Sequence, residues 1–465
     1  MQRLTLLKVR FGLFTALLVS APLSKFPSVA TPLYNFTSFR IGLYQLLMLL
    51  FVLSCLPGLI RSLKTLYAQQ KLALISVAAL AAVCILSLFT AIDRPRSALL
   101  VASILLLLLS VLAAWWYVAK ELPKDRYTFL FKAILSAGCV FGVVSILQFL
   151  FAGFGHETFG LLCKNCGSQV FGFPRINGFA AEPQFYANAL LIYFFAGLGA
   201  FYYSHSKLAL GSCLLSLIGI GLTFSRGAFL AVIVGVVLFY VLLRIQGRLR
   251  IRTLLLHFVV VIITAVAVSG LLVTAASYRY RGTPDIAYKT FRSLIEQASL
   301  GVVKLPRSSK TSGFQPAGLI QASANERLTA AQLSLRAWGY SPITRLIGVG
   351  SGNLGPFVDK HIDASTPDNL TVYIFYSLLL SELGLIGVAA FFGLFASALA
   401  GFLGRFWRNK DAAIYTALFA LGVAFLVQYC FFGSYINVTY IWLFIGILLG
   451  LGRKTSKQRY NKGTK

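Results

Sequence analysis

Apolar runs recur near residues 11–22, 41–60, 72–90, 98–118, 129–151, 184–203, 207–224, 227–243, 253–275, 384–403, 412–433 and 435–452. Each is close to the ~20 residues that a helix needs to cross a hydrocarbon core. Within a run the apolar residues are continuous and do not alternate, which excludes a strand barrel. Helices are the other structure that satisfies every backbone group in lipid. The pattern predicts an all-α, polytopic transmembrane bundle of about 12 spans. Spans 1 to 9 fill residues 1–275, a long polar loop fills 276–368, spans 10 to 12 fill 369–452, and a basic tail fills 453–465.

Composition agrees with the pattern. Hydrophobic residues make up 58% of the chain and charged residues 12%, where a soluble domain carries about 25% charged. The net charge of +29 does not point to nucleic acid, because the basic residues sit between apolar runs. With twelve spans and both termini inside, the inner segments hold 24 of the 42 Lys and Arg, the short outer loops 7 and the long outer loop 11. That bias orients the chain with both termini cytoplasmic. Anionic lipids attract the basic inner loops. Five of the seven Cys lie inside apolar runs and read as small core residues. Cys163 and Cys166 lie in an outer loop, where a disulfide is the simplest reading and a zinc site is incomplete.

The outer loops carry the chemistry. In the long loop, Ser323 to Glu326 reads as a capping box. Leu328, Ala331, Leu335 and Trp338 follow at helical spacing, with Arg327 and Arg336 flanking that stripe. An amphipathic helix is expected there, against the outer membrane surface or over the bundle. The following Gly348-Val-Gly-Ser-Gly-Asn353 reads either as an anion nest or as a plain connector. Before span 6, Pro183 suits a first helical position, with Glu182 as the N-cap. Arg175 lies seven residues earlier, and the two either pair structurally or serve a site. Arg226 is the single charge from Leu208 to Leu243. Such an Arg either snorkels to lipid phosphate or aims its planar fork at a phosphate group.

Asp368 and Asn369 precede span 10, where Asp also suits an N-cap. A straight helix from 369 to 403 would be about 52 Å long at 1.5 Å per residue. It therefore projects outward or bends near Gly384 and Gly387. Asp359, His361 and Asp363 alternate, so an extended segment would put them on one face as metal ligands. Three groups are too few to assign a metal. ATP-driven transport and serine or zinc hydrolysis find no motif: the chain has no P-loop, GxSxG or HExxH.

These motifs resemble the O-antigen ligase and polymerase superfamily of bacterial membrane glycosyltransferases. The resemblance rests on Arg175, Gly178 and Glu182-Pro183-Gln184, on Ser225-Arg226-Gly227, on the long loop ending Arg336 to Gly348-Val-Gly-Ser-Gly-Asn353, and on Asp368-Asn369 followed by Glu382-Leu-Gly-Leu-Ile-Gly387. It covers most of 170–390. It implies metal-independent, inverting transfer of a glycan from undecaprenyl diphosphate at the outer face of the bacterial inner membrane, with no cofactor. The acceptor is another lipid-linked repeat or lipid A-core.

In that setting Arg226, Arg175 and then Arg336 are the expected diphosphate ligands, with Asn369 beside the substrate. Asp368 is the first candidate for the base, with Glu182 and His361 as rivals. Ligases of the family carry His where this chain has Asp368. That departure, with the Glu-Pro-Gln form at 182–184, favours a polymerase over a ligase. The expected partners are the lipid-linked donor, the glycan or lipid A-core acceptor and membrane lipids, with room for a chain-length regulator. A flippase or transporter for lipid-linked sugars is the alternative of another class. It expects charges along a central path, whereas here charge gathers at the outer rim.

Overall fold

A computed structural model describes residues 2–24, 28–30, 40–153, 169–170, 173–247, 316–364, 370, 372, 374–406, 412–434 and 438–452. Almost all of these are helical. The helices are α1 (Gln2–Val19), α2 (Leu43–Gln69), α3 (Lys71–Leu86), α4 (Arg94–Lys120), α5 (Tyr127–Gly153), α6 (Pro183–Ser204), α7 (Lys207–Leu222) and α8 (Arg226–Ile245). They continue with α9 (Pro316–Gly339), α10 (Pro342–Ile347), α11 (Leu354–His361), α12 (Phe375–Phe406), α13 (Ala412–Gln428) and α14 (Thr439–Leu451). Two small antiparallel ladders, which the apolar pattern did not predict, join them. In one, β1 (Ser28–Ala30) pairs with β2 (Arg40–Gly42); in the other, β3 (Gln169–Val170) pairs with β4 (Phe173–Pro174).

Eleven of the twelve apolar runs coincide with helices, and the run at 253–275 lies outside the described residues. Six helices among the described residues are long and apolar enough to cross a membrane: α2, α4, a stretch from Lys124 through α5, α6, α8 and most of α12. Four apolar helices, α3, α7, α13 and α14, are shorter. The chain is a multi-pass helical membrane protein.

The centre of the bundle is α6, whose residues from Phe185 to Ala200 are all buried. It packs on α5, α7 and α13, while α8 packs on α13, α4 on α14 and α3 on α12. Small residues allow these approaches, as is usual between helices in lipid. A Cβ added at Gly446 would lie 2.3 Å from the Val111 carbonyl oxygen, so α14 meets α4 backbone to backbone. Trp115, Tyr117 and Trp442 are fully buried and fill the layers around this contact.

The helix expected after Ser323 is longer than the capping box suggests. It begins at Pro316 and runs through Ser323 and Glu326. The bend expected in the tenth span falls at Gly384, with φ 66° and ψ −168° inside α12. Only glycine takes this conformation without strain. A Cβ there would also stand 2.3 Å from the Leu346 carbonyl, so the bend seats the end of α10 against α12.

Candidate functional site

The segment before α6 is held from three sides. The Ile176 N–H donates to the Leu222 carbonyl at 3.4 Å, at the end of α7. The Gln148 amide of α5 pairs with Gly178 in both directions. The Gly178 N–H donates to Gln148 Oε1 at 2.8 Å, and Gln148 Nε2 donates to the Gly178 carbonyl at 3.3 Å. Gly178 has φ +53°, and a Cβ on it would lie 2.2 Å from the Tyr186 ring. That ring is fixed by its hydroxyl, which donates to the Phe141 carbonyl at 2.8 Å and lies 3.0 Å from Ser145 Oγ. The result is a rigid loop that presents Arg175 and ends at Glu182, the N-cap of α6.

Arg175 and Arg226 share one turn. Arg175 Nε donates to the Thr223 carbonyl at 3.2 Å, and Arg226 opens α8 three residues later. The turn is tight enough that Phe224 has φ 51°. Thr223 Oγ1 steadies it by accepting from the Ser225 N–H at 3.2 Å and donating to the Ile220 carbonyl at 2.7 Å. Gly227 then lets the start of α8 close on Phe431, since a Cβ there would lie 2.5 Å from that side chain.

A third guanidinium joins them. Arg327 of α9 interacts electrostatically with both Arg175 and Arg226, and Glu182 interacts with Arg175. Burial pushes the Arg175 pKa down to about 10. Glu182 opposes that shift, and the two neighbouring cations add to it. Arg175 thus remains charged at neutral pH, at a cost. Three guanidinium groups and one carboxylate leave an excess of positive charge where solvent is scarce. Like charges gathered in such surroundings repel strongly. An anion with several oxygens would relieve the repulsion. The Glu182 carboxylate also accepts from the Gln184 side-chain amide.

The other residues singled out by sequence fall elsewhere. Arg336 is exposed and makes no hydrogen bond or ion pair among the described residues. The reason is helical geometry. Arg327 and Arg336 are nine residues apart on α9, and nine steps of about 100° place them on opposite faces. His361 closes α11, where its ring lies 4.7 Å from Phe357 and its Nδ1 3.4 Å from the Tyr340 hydroxyl. Because Asp359 and His361 are helical, they do not share a face as an extended segment would make them. No cluster of three metal-ligating side chains occurs among the described residues. Asp368, Asn369, Cys163 and Cys166 lie outside the described residues.

The glycine-rich turn after α10 is a clip, and its N–H groups are spent within the protein. Val349 and Gly350 donate to the Ser381 and Glu382 carbonyls at 2.8 and 3.2 Å. Ser351 donates to Ser87 Oγ at 3.4 Å, and Gly352 donates to the Glu382 carboxylate. Asn353 exchanges hydrogen bonds with the Asp93 backbone at 2.6 and 3.2 Å. Left-handed φ values at Gly348, Gly350 and Gly352 make this wrap possible. The group seated in this turn is the chain's own Glu382 side chain. The turn thereby ties α10 and α11 to the bend of α12 and to the start of α4.

Sequence reasoning missed Arg327 as the third cation, although it named the residue as a flank of the stripe. It also missed Gln148. The available signal was one amide in an otherwise apolar run.

No curated protein matches the chain. Residues 211–392, which hold Arg226, Arg327, the glycine clip and the bend of α12, match the family model described as O-antigen ligase. The match covers the motifs from Ser225 to Gly387 on which the resemblance in sequence rests, and Arg175 to Gln184 lie before it.

Proposed function

We propose that the protein transfers a glycan from undecaprenyl diphosphate to a hydroxyl group at the periplasmic face of the inner membrane, with inversion and without a metal. The observation that carries this reading is the meeting of Arg175, Arg226 and Arg327 beside Glu182, at the end of the bundle where α6 and α8 begin. In the reaction the acceptor oxygen bonds to the anomeric carbon as the bond from that carbon to the phosphate oxygen breaks. The electron pair leaves on the diphosphate, and the hydroxyl proton passes to a base. Charge therefore grows on the diphosphate in the transition state. Guanidinium groups fixed before the reaction stabilise that charge without reorganising. Holding two lipid-borne substrates in line supplies the rest.

Asp368 is the first choice for the base and Glu182 the second. Glu182 is already in the cation group. Asn369 would sit beside the substrate. Polymerisation of lipid-linked repeats is the preferred form, from the Glu182-Pro183-Gln184 sequence and from Asp368 in place of His. Ligation to lipid A-core is the second reading, and the family match accommodates both. A chain-length regulator would be an additional partner of the polymerase form.

The test is reconstitution of the purified protein with undecaprenyl-diphosphate oligosaccharide, without ATP and with chelator. The expected result is lengthened lipid-linked glycan. Glycosylation of added lipid A-core with no lengthening would replace polymerase by ligase. Movement of the donor across the bilayer with no transfer would remove both.

A further inference from the structure

We infer that α9 and α10 form an interfacial pair whose outward apolar face is embedded in the hydrocarbon of the adjoining membrane leaflet, with Arg336 and Arg345 on lipid phosphates. This rests on the chain being a membrane protein and is independent of the transfer reaction.

The first observation is which face of α9 is covered. From Arg327 to Gly339, where side chains are described, its buried residues are Ala330, Ser334 and Ala337, at 3%, 1% and 0% exposure. These are small, and they face the bundle, where α9 packs on α12. Leu328 and Leu335 point away, at 59% and 49% exposure, while Leu333 is half-buried against the core. A helix on a water-soluble surface does the reverse and buries its leucines. Small residues inward and large apolar ones outward is the arrangement of a helix with lipid behind it.

The second observation is continuity with a spanning helix. On α10, Ile343 is 60% and Leu346 52% exposed. The backbone of Leu346 touches α12 at Gly384, and the next two residues of α12, Leu385 and Ile386, are 49% and 42% exposed. They belong to a helix long and apolar enough to cross the membrane. Because α9 packs on α10 and α10 on α12, the exposed apolar residues of the three helices adjoin.

The third is the border. Exposed Arg336 and Arg345 edge the face, and Arg345 Nη2 donates to the Gly339 carbonyl at 3.2 Å. Trp338, whose indole N–H donates to the Arg345 carbonyl at 3.1 Å, and Tyr340 stand between the two helices. Trp, Tyr and Arg are the side chains that collect at headgroup level. Arg327 stands on the flank of this face, about 100° round the helix from Leu328, and seven residues place it within about 20° of buried Ser334. One helix thus turns one side to lipid and the adjoining side toward the cation group.

The test places a photoreactive benzoylphenylalanine at Leu328, Leu335, Ile343 or Leu346 of the full chain in vesicles of phosphatidylethanolamine and phosphatidylglycerol. The same residue at exposed Lys360 of α11 is the control. Phospholipid adducts, read by mass, should exceed the control by about fivefold or more, as for a helix lying within the interface. Lipid adducts no more frequent than at Lys360, or crosslinks to a second copy of the chain in their place, would overturn the proposal. Monodisperse elution of each variant establishes folding, so a negative result is informative. Loss of glycan transfer in any variant bears on the proposed function and leaves the lipid assignment where the adducts put it.

Discussion

Arg226 stands at the first position of an apolar helix, and its worth depends on what shares its surroundings. Arg175 and Arg327 do, and Glu182 is near. Removing one preorganised charge from a site where negative charge develops costs about 10²–10³-fold in rate. We expect losses of that size from Arg226→Gln, Arg175→Gln and Arg327→Gln in the reconstituted assay, with elution profiles unchanged. Arg336→Gln, on the opposite face of α9, should retain transfer within a few-fold.

The pH profile follows from Arg175. Its guanidinium is charged below about 10, and burial lowers that limit from the ordinary range. A bound anion favours the charged form and raises the pKa again. Donor binding should therefore be level from neutral pH upward and weaken as pH passes about 10, read by titration with undecaprenyl diphosphate. Gln148 acts through Gly178. Gln148→Leu leaves a buried N–H and a buried carbonyl without their amide, at about 1–3 kcal/mol each. The measured outcome should be weaker donor binding together with a fall in kcat, neither exceeding the loss in Arg175→Gln, because Arg175 is misplaced but still present.

At the scale of elements, glycines decide where helices meet. Gly384 bends α12, and Gly348 lies so close that a Cβ would stand 2.1 Å from the Glu382 carbonyl carbon. Alanine at either position combines a left-handed backbone, which costs about 1–2 kcal/mol, with a backbone clash. Gly384→Ala and Gly348→Ala should each lower the thermal midpoint in detergent by several degrees, whereas Gly339→Ala, with open space around it, should not.

Much of this level was legible in sequence, because a 20-residue apolar run states its own element. The runs at 98–118 and 184–203 became α4 and α6, and Pro183 after Glu182 marked a helix start that the structure shares. What could not be read was which face of α9 turns inward. The stripe of Leu328 and Leu335 suited either the membrane surface or the bundle, and it is the small residues Ala330, Ser334 and Ala337 that are buried. The glycine clip was illegible for a related reason. Its partners, Ser87, Asp93 and Glu382, come from distant parts of the chain.

On the scale of the whole molecule, the bundle brings a loop between α5 and α6, a turn between α7 and α8, and a helix of the long polar segment to one place. There, on the proposed function, the protein grips a polyprenyl diphosphate. The most direct measurement is the affinity of the purified protein in nanodiscs for undecaprenyl diphosphate, wild type against Arg175→Gln, Arg226→Gln and Arg327→Gln. A charge-assisted hydrogen bond contributes about 1.5–3 kcal/mol, so each variant should bind at least about tenfold more weakly, with Arg336→Gln close to wild type. Equal affinity across all five proteins would contradict the account.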